Sequence, residues 1–160
     1  MQKNKDLITQ FYTAFQKGDF ATMQNSYHDE AHFSDPAFQN LNAKEVRAMW
    51  QMLVTAAKDL RITFTDVQAD ELKGSGKWEA HYTFSKTGNK VVNNIKAFMR
   101  IRDGKIIEHS DAFRLSAWIT QALGWKGVWF GWTGFMKRAV QKNARRNLLN
   151  FIEKKNASKS

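Results

Sequence analysis

The chain has no cysteine, a single proline and no long apolar run. Without cysteine there is no disulfide, no thiol nucleophile and no thiolate metal site, and a reducing, cytoplasmic setting is the expectation. One proline, Pro36, rules out long proline-rich linkers. No stretch approaches the ~20 apolar residues that a bilayer-spanning helix needs. Residues 1–5 are polar and lead straight into a helical pattern, so no signal peptide is expected. There is no GxGxxG and no P-loop, so no organic cofactor is expected either. Acidic residues are scarce in one region only. Residues 114–160 hold 10 Lys+Arg and one acid, Glu153, a balance of +9, whereas residues 1–113 hold 15 Lys+Arg and 14 Asp+Glu, a balance of +1. The body is nearly neutral, so nucleic acid is not its expected partner, and any anionic partner would meet the tail.

What is present fits one globular core: 160 residues, 42% hydrophobic and 13% aromatic, a length that supports a single domain. Leu7, Ile8, Phe11, Tyr12, Ala14 and Phe15 recur at helical spacing within residues 4–17. Gly18 ends that helix and Asp19 can cap the next, which carries Phe20, Met23 and Tyr27. A short strand is expected at 31–35 and a loop at 36–42. Asn42 can cap a helix from 43 to about 57, with Val46, Met49, Trp50 and Leu53 as its buried stripe. The period then shortens to two. Leu60, Ile62 and Phe64 open a strand; Lys73-Gly74-Ser75-Gly76 reads as a turn. Trp78, Ala80, Tyr82 and Phe84 share one strand face, and Asn93, Ile95, Ala97, Met99 and Ile101 share that of the next. Asp103-Gly104 is a hairpin signal, and Ile107, His109, Asp111 and Phe113 alternate on a last strand. Helices first and a meander after predict an α+β fold, a curved antiparallel sheet wrapped like a cone around the N-terminal helices.

Two segments carry chemistry. In His28-Asp29-Glu30-Ala31-His32-Phe33-Ser34-Asp35-Pro36, a strand stops at an Asp-Pro dipeptide, because proline cannot donate to a ladder and biases its predecessor toward extended geometry. Asp35 is thereby held at a strand end, as a general base or as a plain turn residue. Burial in an apolar cone would raise its pKa toward working pH. In the second segment, His109 and Asp111 lie about 6–7 Å apart on one strand face, as a joint acid–base pair or as a satisfied polar pair. A metal site built from His109 and the two carboxylates is conceivable, but nothing in the spacing demands one, and no metal is expected. Trp50, Trp78, Tyr82, Asn93 and Phe113 are candidate pocket walls for a flat apolar ligand, or ordinary core. His28, His32 and His81 read as surface or rim residues.

Phe11-Tyr12-Thr13-Ala14-Phe15, Gly18-Asp19, Tyr27-His28, Asp35-Pro36, residues 78–84, Asp103-Gly104-Lys105-Ile106 and His109-Ser110-Asp111 together resemble the nuclear transport factor 2-like superfamily, in its SnoaL-like branch. The similarity covers about residues 5–125 and runs on into Gly131-Trp132. It implies the cone fold, a pocket for a small ligand and, by the superfamily's habit, a homodimer. Steroid Δ-isomerases look similar at Asp35-Pro36, where their general base sits. Their oxyanion-hole tyrosine and protonated aspartate fall near Phe11 and Ala97, so that half of their site is not carried over. SnoaL-type polyketide cyclases use an acid–base aspartate on the late strand, which Asp111 resembles. The resemblance therefore implies acid–base proton transfer of the isomerase, cyclase or hydratase kind on an apolar, carbonyl-bearing or cyclic substrate. The alternative is a non-catalytic binding or assembly module.

The expected division is residues 1–118 as the cone domain and 119–160 as an aromatic, basic extension belonging to the same domain or to a dimer interface. Trp118, Leu123, Trp125, Val128, Trp129, Phe130 and Trp132 are interleaved with glycines, ahead of a helix from about 134 to 154. Met136, Val140, Ala144, Leu148 and Phe151 form its apolar stripe, with Arg138, Lys142, Arg145 and Arg146 opposite. Such a helix could dock on its own domain or a dimer mate, lie on an anionic membrane surface, or meet nucleic acid.

Overall fold

The computed structural model describes residues 1–125 and 133–158. Val128, Trp129, Phe130 and Trp132 lie outside the described residues. Two helices, α1 (Gln2–Gln16) and α2 (Phe20–Asn25), precede β1 (Tyr27–Ser34) and β2 (Leu41–Asn42). Then come α3 (Ala43–Ala56), β3 (Arg61–Ala69), β4 (Lys73–Thr83), β5 (Lys90–Arg102), β6 (Lys105–Ala112), α4 (Leu115–Leu123) and α5 (Gly134–Ala157). The six strands form one open sheet in the order β2-β1-β6-β5-β4-β3. Its fold class is the α+β cone that the sequence pattern predicts.

The sheet is mixed rather than wholly antiparallel. β3 to β6 form the expected meander, but β1 joins β6 in parallel, with Phe33 beside His109 and Ser34 beside Ser110. β1 starts at Tyr27, which continues the helical period of α2 in sequence yet sits on the sheet, fully buried. Within the 36–42 loop, Leu41 and Asn42 pair with β1. Asn42 also caps α3, accepting from Glu45 N while the Glu45 carboxylate accepts from Asn42 N, each at 3.0 Å.

Two local expectations fail for physical reasons. Lys73–Gly76 is strand, not turn: Gly74 pairs with Met99 and Gly76 with Ala97. The turn lies earlier, where the Asp70 carboxylate accepts from Leu72 N and Lys73 N at 2.8 and 2.7 Å. Gly74 serves packing, since a Cβ there would collide with Ile8 Cδ1 of α1. Ile107 does not share the inner face. A β-bulge sets Ile101 opposite Ile106 and Arg100 opposite Glu108, leaving Ile107 as the extra residue. The bulge lets Ile106, His109 and Asp111 all face inward. The hairpin ahead of it is as expected, with Asp103 and Gly104 both at positive φ (53° and 70°).

The inner face packs on α1 and α3 through Phe11, Tyr12, Phe15, Phe33, Met49 and Trp50. Helix α5 returns to α3 along the predicted stripe. Leu148 has no exposed surface, and Ala144, Phe151 and Ile152 pack against the core. Arg145 pairs with Glu45 at 2.8 Å, and Gln141 Nε2 donates to Pro36 O at 3.0 Å.

Gly74→Ala should destabilise the fold by about 1–3 kcal/mol through overpacking against Ile8. Gly76→Ala, whose Cβ would sit 3.6 Å from Tyr12 Cε2, should be tolerated. Urea unfolding of the two variants checks both, and equal stability would remove this role for Gly74.

Candidate functional site

The register sets Leu41, Phe33, His109, Met99 and Gly74 in one row across the inner face. Asp111 lies one row on, opposite Ala97. His109 is therefore surrounded by rings. Phe11, Phe33 and Tyr27 have centroids 5.8, 5.1 and 6.0 Å from its imidazole, and Trp50 lies at 6.1 Å.

A buried polar chain crosses these rings. Trp50 Nε1 donates to the Tyr27 hydroxyl at 2.8 Å. That hydroxyl lies 2.6 Å from His109 Nδ1, and His109 Nε2 lies 3.0 Å from Asp111 Oδ1. Trp78 Nε1 approaches the same Asp111 oxygen at 3.5 Å. Burial raises the Tyr27 pKa well above its usual value, so its O–H stays protonated. With one lone pair facing Trp50, it donates to Nδ1, and Nε2 carries the hydrogen toward Asp111. Every hydrogen in the chain then points to the carboxylate.

Asp35 sits where β1 stops, as its position before Pro36 predicts. Oδ1 accepts from Ala37 N and Phe38 N at 2.7 and 2.6 Å. Desolvation nevertheless pushes its pKa up to about 7, assisted by the negative charge of Asp111 and opposed by the two backbone hydrogen bonds. One oxygen is thus clamped, and the carboxyl is poised between its two protonation states near neutrality.

Tyr12 was outside the sequence-derived set. Its hydroxyl is the one buried side-chain polar atom, among the described residues, that has no hydrogen-bond partner. The ring stacks on Phe64 at 5.5 Å and leans on Trp78 at 6.3 Å. Burial, and then the charge of Asp111, raise its pKa. Phe11 and Tyr12 differ by about 100° around α1, yet both are fully buried, one toward His109 and the other toward β4. Tyr27 and Trp50 N–H are the other polar groups whose part the sequence did not reveal. The only signal for Tyr27 was a tyrosine just before the His-rich strand.

Of the predicted residues, His109, Asp111, Trp50 and Trp78 come together, with Asp35 in electrostatic reach. Trp50 is fully buried with its N–H engaged by Tyr27. Phe113 lines one hollow together with Trp78, while Tyr82 and Asn93 lie further off. Asn93 is four residues from Ala97 along β5, about 13 Å, and the Tyr82 hydroxyl accepts from Trp118 Nε1 of α4 at 2.5 Å. Hollows of about 710 and 660 Å³ are lined mostly by outward-pointing residues, including Lys73, Phe98 and Arg100 in the first and Lys77, Lys96 and Arg114 in the second. Neither is lined by Asp35 or Asp111.

An open, curved α+β cone with polar groups collected on its inner face defines the nuclear transport factor 2-like class. Residues 8–109 match the family model described as the SnoaL-like domain, and the chain belongs to that family. No curated protein matches it. Among solved structures it is similar to IdmH of Streptomyces antibioticus, assigned on a provisional basis as a polyketide cyclase, with a TM-score of 0.63 and 21% identity over 74% of this chain and 96% of that one. It is also similar to an LEH-like epoxide hydrolase of M. tuberculosis, with a TM-score of 0.64 and 14% identity over 80% and 93%. An NTF2-like protein of unknown function from Burkholderia pseudomallei gives 0.67 and 15% over 76% and 98%.

The Asp35 environment has a measurable consequence. Its carboxyl has a usual pKa of 3.8 and a folded value of about 7. Between those values the unfolded chain has released a proton that the folded chain retains. Asp35's contribution to stability is therefore fully present below about pH 4, falls as pH rises to about 7, and is flat above that. Asp35→Asn keeps the acceptor for Ala37 and Phe38 and should remove this slope, leaving the variant more stable above pH 7 by on the order of 4 kcal/mol. Urea melts of both proteins from pH 4 to pH 8 measure the difference, and parallel curves would show that Asp35 is an ordinary carboxylate.

Proposed function

We propose that this protein binds a small apolar molecule, carbonyl-bearing or cyclic, against Asp35 and moves a proton on it without a cofactor. The observation that carries this reading is the grouping of three groups: Asp35 with its pKa pushed up to about 7, Asp111 whose charge reaches both Asp35 and Tyr12, and Tyr12 with an unpartnered O–H. An unmet hydroxyl costs about 1–3 kcal/mol in a core, and a ligand oxygen would relieve it.

In this proposal the clamped Asp35 presents its second oxygen to a C–H beside the carbonyl. The C–H bond breaks, its proton goes to Asp35, and the electron pair moves into the carbonyl, whose oxygen accepts from Tyr12. Return of the proton to the same carbon completes exchange, and to another carbon isomerisation; for ring closure the carbanion carbon instead bonds to a second carbonyl carbon of the substrate, whose π pair moves to its oxygen, and Asp35 returns the proton to that alkoxide. His109 and Asp111 supply a second acid–base pair at the far side. A base with a pKa near the working pH is the efficient choice for such a step. The cyclase and epoxide hydrolase names among the structural neighbours support small-molecule chemistry on this fold, while their identities, below 25%, bear on the fold alone.

A non-catalytic module is the second reading. It is favoured by the full burial of Trp50 and by the absence of Asp35 from the lining of both hollows.

A panel of steroids, aromatic polyketides and lipid ketones, screened by thermal shift, separates the two. The proposal expects at least one binder that raises Tm, exchange of its α-hydrogens in D2O, and at least about 100-fold slower exchange in Asp35→Asn with binding retained. Absence of any binder in the panel would favour the module.

A further inference from the structure

We infer that the outer face of α5 is a docking surface for an anionic lipid bilayer. Phe135, Arg138, Ala139, Lys142, Arg146 and Leu149 follow i, i+3, i+4, i+7, i+11 and i+14 spacing, which sets them on one face. That face is opposite the one that buries Leu148, Ala144 and Ile152. It spans about 21 Å of helix. Phe135 is 73% and Leu149 42% exposed, at either end of the cationic stretch.

Among the described residues, the cations of this face form no ion pair. Arg145, on the flank, is neutralised by Glu45. Arg138 and Lys142 have no ion-pair partner among the described residues, and Arg146 meets only the side-chain oxygen of Asn143 at 2.8 Å. Glu153, one turn beyond Leu149, is the one acid in residues 114–160. No helix among the described residues is long and apolar enough to cross a membrane, so the geometry is that of a helix lying in the interface plane. Headgroup phosphates would take the arginines and lysine, and Phe135 and Leu149 would enter the acyl boundary.

Charge and apolarity together select this occupant. A second copy meeting the same face across a two-fold axis would set Arg138, Lys142 and Arg146 against their like. A nucleic acid would use the cations and leave Phe135 and Leu149 in water. On its inner side the helix braces the loop that carries Asp35, through Gln141 and Pro36 O. The inference stands independently of the proposed chemistry.

The test is co-sedimentation of the full chain with vesicles of phosphatidylcholine alone and of phosphatidylcholine with phosphatidylserine. Binding should require phosphatidylserine and weaken with salt. The Arg138→Glu, Lys142→Glu, Arg146→Glu triple variant should lose it at least about tenfold, from about 1 kcal/mol per basic residue near such a surface. Phe135→Ser with Leu149→Ser should also weaken it severalfold, with Tm unchanged in both variants because these side chains are exposed. Failure of the wild type to bind anionic vesicles would overturn the inference. So would binding that survives the triple charge change, or binding indifferent to the Phe135 and Leu149 changes and matched by duplex DNA.

Discussion

A histidine and an aspartate sealed within an aromatic core are stable only when their polar atoms find partners, and the bond between Tyr27 and His109 is the link on which this core turns. It joins the first residue of β1 to the middle of β6, the two strands whose parallel pairing departs from the meander. Through Trp50 Nε1 it also ties α3 to the sheet. Without that hydroxyl, two buried groups, the indole N–H and imidazole Nδ1, would lose their partners, each worth about 1–3 kcal/mol. The chain from Trp50 to Asp111 thus fixes register, helix position and tautomer together.

Much of the fold was legible because most of the sheet obeys a period of two. Asn93 to Ile101 and Trp78 to Tyr82 alternate cleanly, and Asp103-Gly104 carries the positive φ values that a two-residue hairpin needs. The failures mark places where tertiary contact overrides local chemistry. Gly74 and Gly76 look like a turn to any local rule, but both are strand residues, and Gly74 gives α1 room to approach. Ile107 looks like an inward residue, but a single inserted position moves the face to Ile106. A bulge of that kind leaves no mark in composition.

The site was legible in its charged members and opaque in its neutral ones. Asp35 before Pro36, and His109 two residues from Asp111, announce themselves by type and spacing. Tyr27 continues the helical period of Phe20 and Met23, so its pattern conceals that it begins a strand. Tyr12 is indistinguishable in sequence from its core neighbours Phe11 and Phe15. Only the absence of a partner for its hydroxyl sets it apart, and a missing hydrogen bond is a property of the folded interior alone.

The comparison with steroid Δ-isomerases sharpens once the neighbours of Phe11 and Ala97 are known. Phe11 packs at steep angles against Trp50 and His109, with centroids 5.6 and 5.8 Å away. Ala97 lies directly across the ladder from Asp111, and a carboxylate there would oppose like charge at close range. The nearest polar side chains are Tyr12, one residue along α1, and Asp111, one strand over. Asp35 and Asp111, within electrostatic reach of each other, sit in different surroundings. Asp111 receives the hydrogens of His109 and Trp78. Asp35 has two backbone donors on one oxygen, and desolvation outweighs them.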